Sequence, residues 1–444
     1  MSLHTLRFPR ERTFPTVPAE LALITTGIIL QFMSGHSGAY FLPIPLDRPL
    51  ILAGLMVLIF KLIRARVEWR PKAVHVAMLA FIGWILLSMV WSGSLTSAVA
   101  VFAWVDAAGI LPFAIYLVAP VVYSTPQKRL VLLVALTLLG AYLGLIALLE
   151  GLGLYQLVWP KYIYDPGSPH FGRAGGPADQ VASNGLQLMG CAMAAVAVSL
   201  LTTSRWVRHG SRLVAVLCLV GTFFTLTRSV WLGVMAGIVA GMVLDSRSRR
   251  ALVKVAVVAS AALVSAWVFI EPLRTSVQER LGDEGSAFDR INANATALEV
   301  VVARPLLGLG FQQFPEAEAE WLWQSSSIPI ASTGIAVHNV LLGYAAELGL
   351  LGAALWIACL ALPALYAWRS ASSTFEMKVL RRTAIAYVAC WLVVSMLVPL
   401  TYALPATLFW LSFGLVTDPA RLGFHSVARV TTTETEGRSC HPVL

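Results

Sequence analysis

The chain has 444 residues, of which 58% are hydrophobic and 12% charged, and its formal net charge is +9. A water-soluble protein of this size needs roughly twice that share of charged residues to cover its surface. Cytosolic enzymes, disordered regulators and secreted disulfide scaffolds are therefore excluded. What remains is an all-α polytopic membrane protein, in which basic loops on one side of the bilayer supply the positive excess and no nucleic-acid partner is needed.

Crossing a bilayer takes roughly 20 apolar residues. Such runs fall at 19–35, 48–64, 73–91, 98–123, 129–149, 181–201, 211–226, 229–245, 251–270, 338–367, 382–399 and 402–417, about 12 transmembrane helices. None alternates in polarity as a transmembrane β-strand does. The first run follows Arg7, Arg10 and Arg12, so it resembles a signal sequence, and small residues at 34–39 would permit cleavage. An uncleaved anchor is expected instead, because further spans follow at once. Of the Lys and Arg residues, 24 fall on the side of the two termini and 8 on the other. The bias places both termini in the cytoplasm. The predicted organisation is a cytoplasmic N-terminus (1–18), helices 1–9 (19–270), an external loop domain (271–337), helices 10–12 (338–417) and a cytoplasmic tail (418–444).

Cys191, Cys218, Cys359 and Cys390 lie inside apolar runs and Cys440 in the tail, so no disulfide is expected. There is no Asp-x-Asp, no metal-type Cys/His spacing, no P-loop and no Gly-x-Ser-x-Gly elbow. Glu316, Glu318 and Glu320 alternate and splay on a helix, as a solvated face does. No metal, no cofactor and no ATP are expected. Asp106 and Glu347 lie within spans, where an acid is either functional or a structural hydrogen-bonding group.

Two external loops are long, at about 150–180 and 271–337, and the stretch Phe288–Ala303 is amphipathic enough to lie along the outer membrane face. The external cations stand out because membrane insertion selects against them. Arg228, in Thr225-Leu226-Thr227-Arg228-Ser229, heads a span; it either meets an anion or snorkels to water. Arg290 either binds an anion or pairs locally with Asp289 or Asp283. Arg173, in Gly172-Arg173-Ala174-Gly175-Gly176, is a site residue or an ordinary loop charge; Arg304, before Pro305, can simply cap a helix. His338, in Val337-His338-Asn339, sits at a span's mouth, where the positive end of the helix dipole favours neutral imidazole. His36 and His170 lie in less constrained loops. Arginines grip diphosphate bidentately and stabilise its departure. A neutral histidine takes a proton from an attacking hydroxyl. Together they suit sugar transfer from a lipid diphosphate to an alcohol.

Thr227-Arg228-Ser229 opens a span. Arg290 follows, then Pro305-Leu306-Leu307-Gly308-Leu309-Gly310-Phe311, His338-Asn339, and Glu347-Leu348-Gly349-Leu350-Leu351-Gly352. This order resembles the bacterial O-antigen ligase and polymerase superfamily over roughly 220–355. The resemblance implies a GT-C-like glycosyltransferase, a multi-pass protein of the Gram-negative inner membrane with its active site on the periplasmic face. Its donor would be an undecaprenyl-diphosphate-linked glycan and its acceptor a lipid A core. It further implies a metal-independent, inverting transfer, with His338 as the catalytic histidine and Arg228 and Arg290 as catalytic, phosphate-binding arginines. Arg173, Asn339 and Glu347 join the expected substrate-binding set; Glu347 is half a turn out of phase with His338, so packing is its alternative role. An O-antigen polymerase, a protein O-oligosaccharyltransferase and, from another class, a lipid-linked sugar transporter or flippase stay open.

Overall fold

The computed structural model describes residues 17–33, 36–41, 45–168, 170–244, 274–275, 278, 282, 285–321, 329, 334–370, 374–399 and 402–425. The expected ninth span, 251–270, lies outside them. The described residues form helices, with one isolated bridge between Trp69 and Phe424. In chain order these are α1 (Ala19–Leu30), α2 (Asp47–Arg64), α3 (Ala73–Ser92), α4 (Ala98–Phe102), α5 (Ile110–Val122), α6 (Pro126–Gly151) and α7 (Val181–Leu201). There follow α8 (Arg205–Phe224), α9 (Arg228–Leu244), α10 (Gly285–Ala303), α11 (Phe314–Trp321), α12 (Val340–Arg369), α13 (Phe375–Ser395) and α14 (Ala403–Val416).

Local sequence explains the boundaries. Thr125 accepts the Lys128 amide ahead of Pro126 at the first helical position of α6. Thr374 and Asn339 cap α13 and α12 in the same way. Gly93, left-handed at φ 77°, closes α3. A π-helical turn, Ala103–Ala108, links α4 to α5.

Among the described residues, six helical stretches are long and apolar enough to cross a membrane: Ala73–Ser92, Ala98–Val122, Pro126–Gly151, Val181–Leu201, Arg205–Phe224 and Val340–Arg369. Shorter apolar helices run over Ala19–Met33, Arg228–Gly241 and Ala403–Val416. Helices α8 and α13 begin earlier than the apolar runs predicted, taking in Arg205, Arg208, Lys378 and Arg381. Arginine and lysine are good helix formers, so the helix outruns the apolar window.

Contacts sort the connections into two ends of the bundle. At one end Arg129 pairs with Glu376 at 2.7 Å, Lys61 with Glu20 at 2.6 Å, and the Arg70 amide bonds to Gly423. These are the segments in which the sequence concentrates Lys and Arg. At the other end the Tyr402 hydroxyl donates to Gln180, His36 stacks on Tyr162, and the Phe311 amide donates to Ser88. Between them Phe81, Phe113, Trp356 and Trp410 interlock at ring separations of 4.7–6.3 Å, tying α3, α5, α12 and α14 together. This core holds the middle of α12 at Trp356, and His338 lies just ahead of that helix, before its Asn339 cap.

Candidate active site

His338 is held by its neighbours on both sides. Val337 is buried with Ala297 and Val300 of α10, Phe314 of α11 and Ala346 of α12. Asn339 accepts the Leu342 amide at 3.1 Å and caps α12. Upstream, the Glu318 carboxylate accepts the amides of Gly334 and Ile335, the latter at 3.0 Å. Glu318 is only 2% exposed, whereas Glu316 and Glu320 are exposed. The sequence expectation of one solvated acidic face is thus corrected: the three acids splay, but the middle one turns into the protein and ties down the approach to His338.

Burial, and after it the positive charge of Arg290, pushes the His338 pKa down to about 4, against the opposing pull of the Ala336 backbone and Asp289. Asp289 and Arg290 lie in the first turns of α10, and both act electrostatically on the imidazole. The ring is therefore neutral at pH 7 and able to accept a proton. Burial and Arg290 keep it so, rather than the helix dipole alone.

Arg228 opens α9 on the buried turn Thr225-Leu226-Thr227, in which Leu226 is left-handed at φ 47°. Trp231 braces the turn: its Nε1 donates to the Phe223 carbonyl at 3.1 Å, and its ring stacks on that of Phe223. Arg173 joins the same turn. Its Nε donates to the Thr225 carbonyl at 3.2 Å, and its Nη2 to the Leu226 carbonyl at 3.4 Å and to the Thr227 hydroxyl at 2.8 Å.

The two glycine-bearing motifs turn out to be one structural unit. The amides of Leu309 and Gly310 donate to the carbonyls of Ala346 and Glu347, and the Leu350 amide donates to Pro305. Gly349 breaks α12 at φ 71°, and a methyl group there would overlap the Leu306 carbonyl. Gly308 is also left-handed, and a Cβ on it would lie 2.5 Å from the Ala346 carbonyl oxygen. The Glu347 carboxylate accepts the amides of Gln312 at 3.0 Å and Phe314 at 3.4 Å. Both oxygens are engaged by backbone, so Glu347 locks the 305–314 segment, and with it α11, onto α12.

Asp106 accepts the guanidinium of Arg48, with Nε at 3.0 Å from both carboxylate oxygens. That gives Asp106 a structural partner. Arg304 follows the end of α10 with its guanidinium over the Trp321 ring, 5.3 Å from the centroid. Among the described residues no three His, Cys, Asp or Glu side chains gather to hold a metal ion. Sequence reasoning missed Glu318, because its partners, Gly334 and Ile335, are remote along the chain and contribute only backbone amides.

The chain matches none of the curated proteins. Residues 213–357, which run from α8 through Arg228, Arg290 and His338 into the middle of α12, match the family model described as O-antigen ligase.

Proposed function

We propose that the chain transfers O-antigen polysaccharide from undecaprenyl diphosphate to a sugar hydroxyl of the lipid A core, at the outer face of the inner membrane. His338 takes the proton of the acceptor hydroxyl as its oxygen attacks the anomeric carbon. The bond from that carbon to the diphosphate oxygen breaks, and the released diphosphate carries its charge to Arg228 and Arg290. One displacement inverts the anomeric centre. Helix α10 carries Arg290 and α11 carries the Glu318 clamp that ties down the approach to His338.

The observation that supports this reading is that Arg228, Arg290 and His338 all fall within the matched stretch, with His338 held between a buried Val337 and the Asn339 cap of α12 and with Arg290 acting on its imidazole. A free-state pKa near 4 makes the imidazole a weak base. An anionic diphosphate arriving beside Arg290 offsets the cation that depresses it, so donor binding strengthens the base.

The test is glycan joining by the purified full chain, with lipid-linked O-antigen as donor and lipid A core as acceptor. Formation of the joined product supports ligation. Extension of lipid-linked glycan with no product on the core favours a polymerase, and modification of a Ser/Thr peptide favours a protein oligosaccharyltransferase. Translocation with no new glycosidic bond favours a transporter.

A further inference from the structure

We infer that Glu150 and Arg173 are positioning residues that set the direction of Arg228, acting as a strap from the end of α6 to the α8–α9 turn. The functional consequence rests on the proposed role of Arg228 at the donor diphosphate. Glu150 is the penultimate residue of α6, is 3% exposed, and accepts the Gly176 amide with its two oxygens at 3.3 and 3.4 Å. Asn184, in the first turn of α7, donates to the Ala174 carbonyl at 2.9 Å. The Ala174 amide in turn donates to the Phe224 carbonyl at the end of α8, also at 2.9 Å. Residues 173–176 are thus tied to three helices at once.

From this strap Arg173 reaches the turn. The last carbonyls of a helix have no partner within it, and they carry the negative end of its dipole. Arg173 places a cation there and bonds the carbonyls of Thr225 and Leu226 and the hydroxyl of Thr227. Leu226 holds a left-handed backbone, which a non-glycine residue keeps only when its surroundings over-determine it. Thr225, Leu226, Thr227 and Ser229 are all buried, while Arg228 is partly open. The chain of contacts therefore runs from Glu150 through Gly176, Ala174 and Arg173 to the turn, and ends at Arg228, the residue of 225–229 that is not fully buried. Arg173 Nε and Nη2 bond the carbonyls and the hydroxyl of the turn that precedes Arg228, so their contribution passes through that turn.

Two readouts on the full chain in nanodiscs test this. The first is hydrogen exchange in Glu150→Gln and Arg173→Lys. Amides of 174–176 and 224–231 are expected to exchange faster in both variants, with the basic end of the bundle unchanged. Unaltered exchange at 224–231 in Glu150→Gln overturns the strap, whatever the activity. The second is the Kd for undecaprenyl diphosphate. Arg173→Lys is expected to weaken binding roughly 10-fold when Arg228 is present, and by less than about 2-fold in an Arg228→Ala background. Equal weakening in both backgrounds means that Arg173 grips the ligand itself and overturns the proposal. If Arg228→Ala binds undecaprenyl diphosphate normally, the phosphate role of Arg228 fails, while the exchange readout still decides the strap. Should Arg173→Lys not fold, Thr227→Val removes the hydroxyl that accepts from Arg173 and donates to the Thr225 carbonyl, and Thr227→Ser, which keeps that hydroxyl, is expected to exchange at 224–231 as the native chain does.

Discussion

Replacing Arg290 with methionine separates the two causes that keep His338 neutral. Methionine keeps an unbranched apolar stem of similar reach and removes the charge. In the native protein burial and then Arg290 take the imidazole from 6.5 to about 4, a penalty on the imidazolium of about 3 kcal/mol. Without Arg290 the second cause disappears and the pull of Asp289 remains, so the pKa rises; burial persists, so it stays below 6.5. The acid limb of the kcat/KM profile should then shift upward from about 4, even as kcat/KM falls through weaker donor binding. Stability follows the same sign. The folded pKa lies below the unfolded one, so the unfolded chain protonates first as pH falls. The native protein loses up to about 3 kcal/mol between pH 6.5 and 4, and nothing above 6.5. Arg290→Met should lose less over that window. Single-turnover transfer and thermal unfolding from pH 4 to 8 read both effects. An acid limb that stays in place, or moves down, refutes the reasoning.

Gly349→Ala combines a left-handed backbone with an overlap at the Leu306 carbonyl; we expect a loss of about 3 kcal/mol or more, read as a large drop in Tm, and an unchanged Tm contradicts the packing described. Glu318→Ala strands the amides of Gly334 and Ile335 at about 1–3 kcal/mol each. It should slow transfer more than tenfold while leaving undecaprenyl diphosphate affinity intact, because what moves is the segment before His338; a matching loss of affinity speaks against that assignment. Arg48→Ala leaves the Asp106 carboxylate buried without its cation, at a cost of about 3–5 kcal/mol. Adding Asp106→Asn should recover part of the lost Tm, and no recovery means that the pair does not act as a unit.

The helical character of the chain was legible from apolar run length alone, and most helix positions follow the runs closely. The starts of α8 and α13 were not, since a hydropathy window stops at the first arginine while the helix continues through it. The break at Gly349 left no trace in hydropathy either, because Leu348, Leu350 and Leu351 keep the run apolar across it. The resemblance motifs picked out Arg228, Arg290, His338 and Glu347 by type and order. What each does locally depends on partners far along the chain. Glu347 meets amides 33–35 positions away, and Arg173 meets carbonyls and a hydroxyl 52–54 positions away. Backbone partners leave no residue-type signature, which is why Glu318 read as solvated and why the contacts of Arg173 with the α8–α9 turn left no trace in the sequence. Asp106 was legible as an unusual acid, but its pairing with Arg48 depended on how α2 packs beside the π-helical turn.

The most direct measurement is single-turnover transfer by His338→Ala in nanodiscs preloaded with lipid-linked donor, with donor binding measured in parallel. Transfer to the core acceptor should be abolished while the donor stays bound as tightly as in the native chain. Transfer by His338→Ala at the native rate contradicts the assignment of the imidazole as the group that takes the acceptor proton.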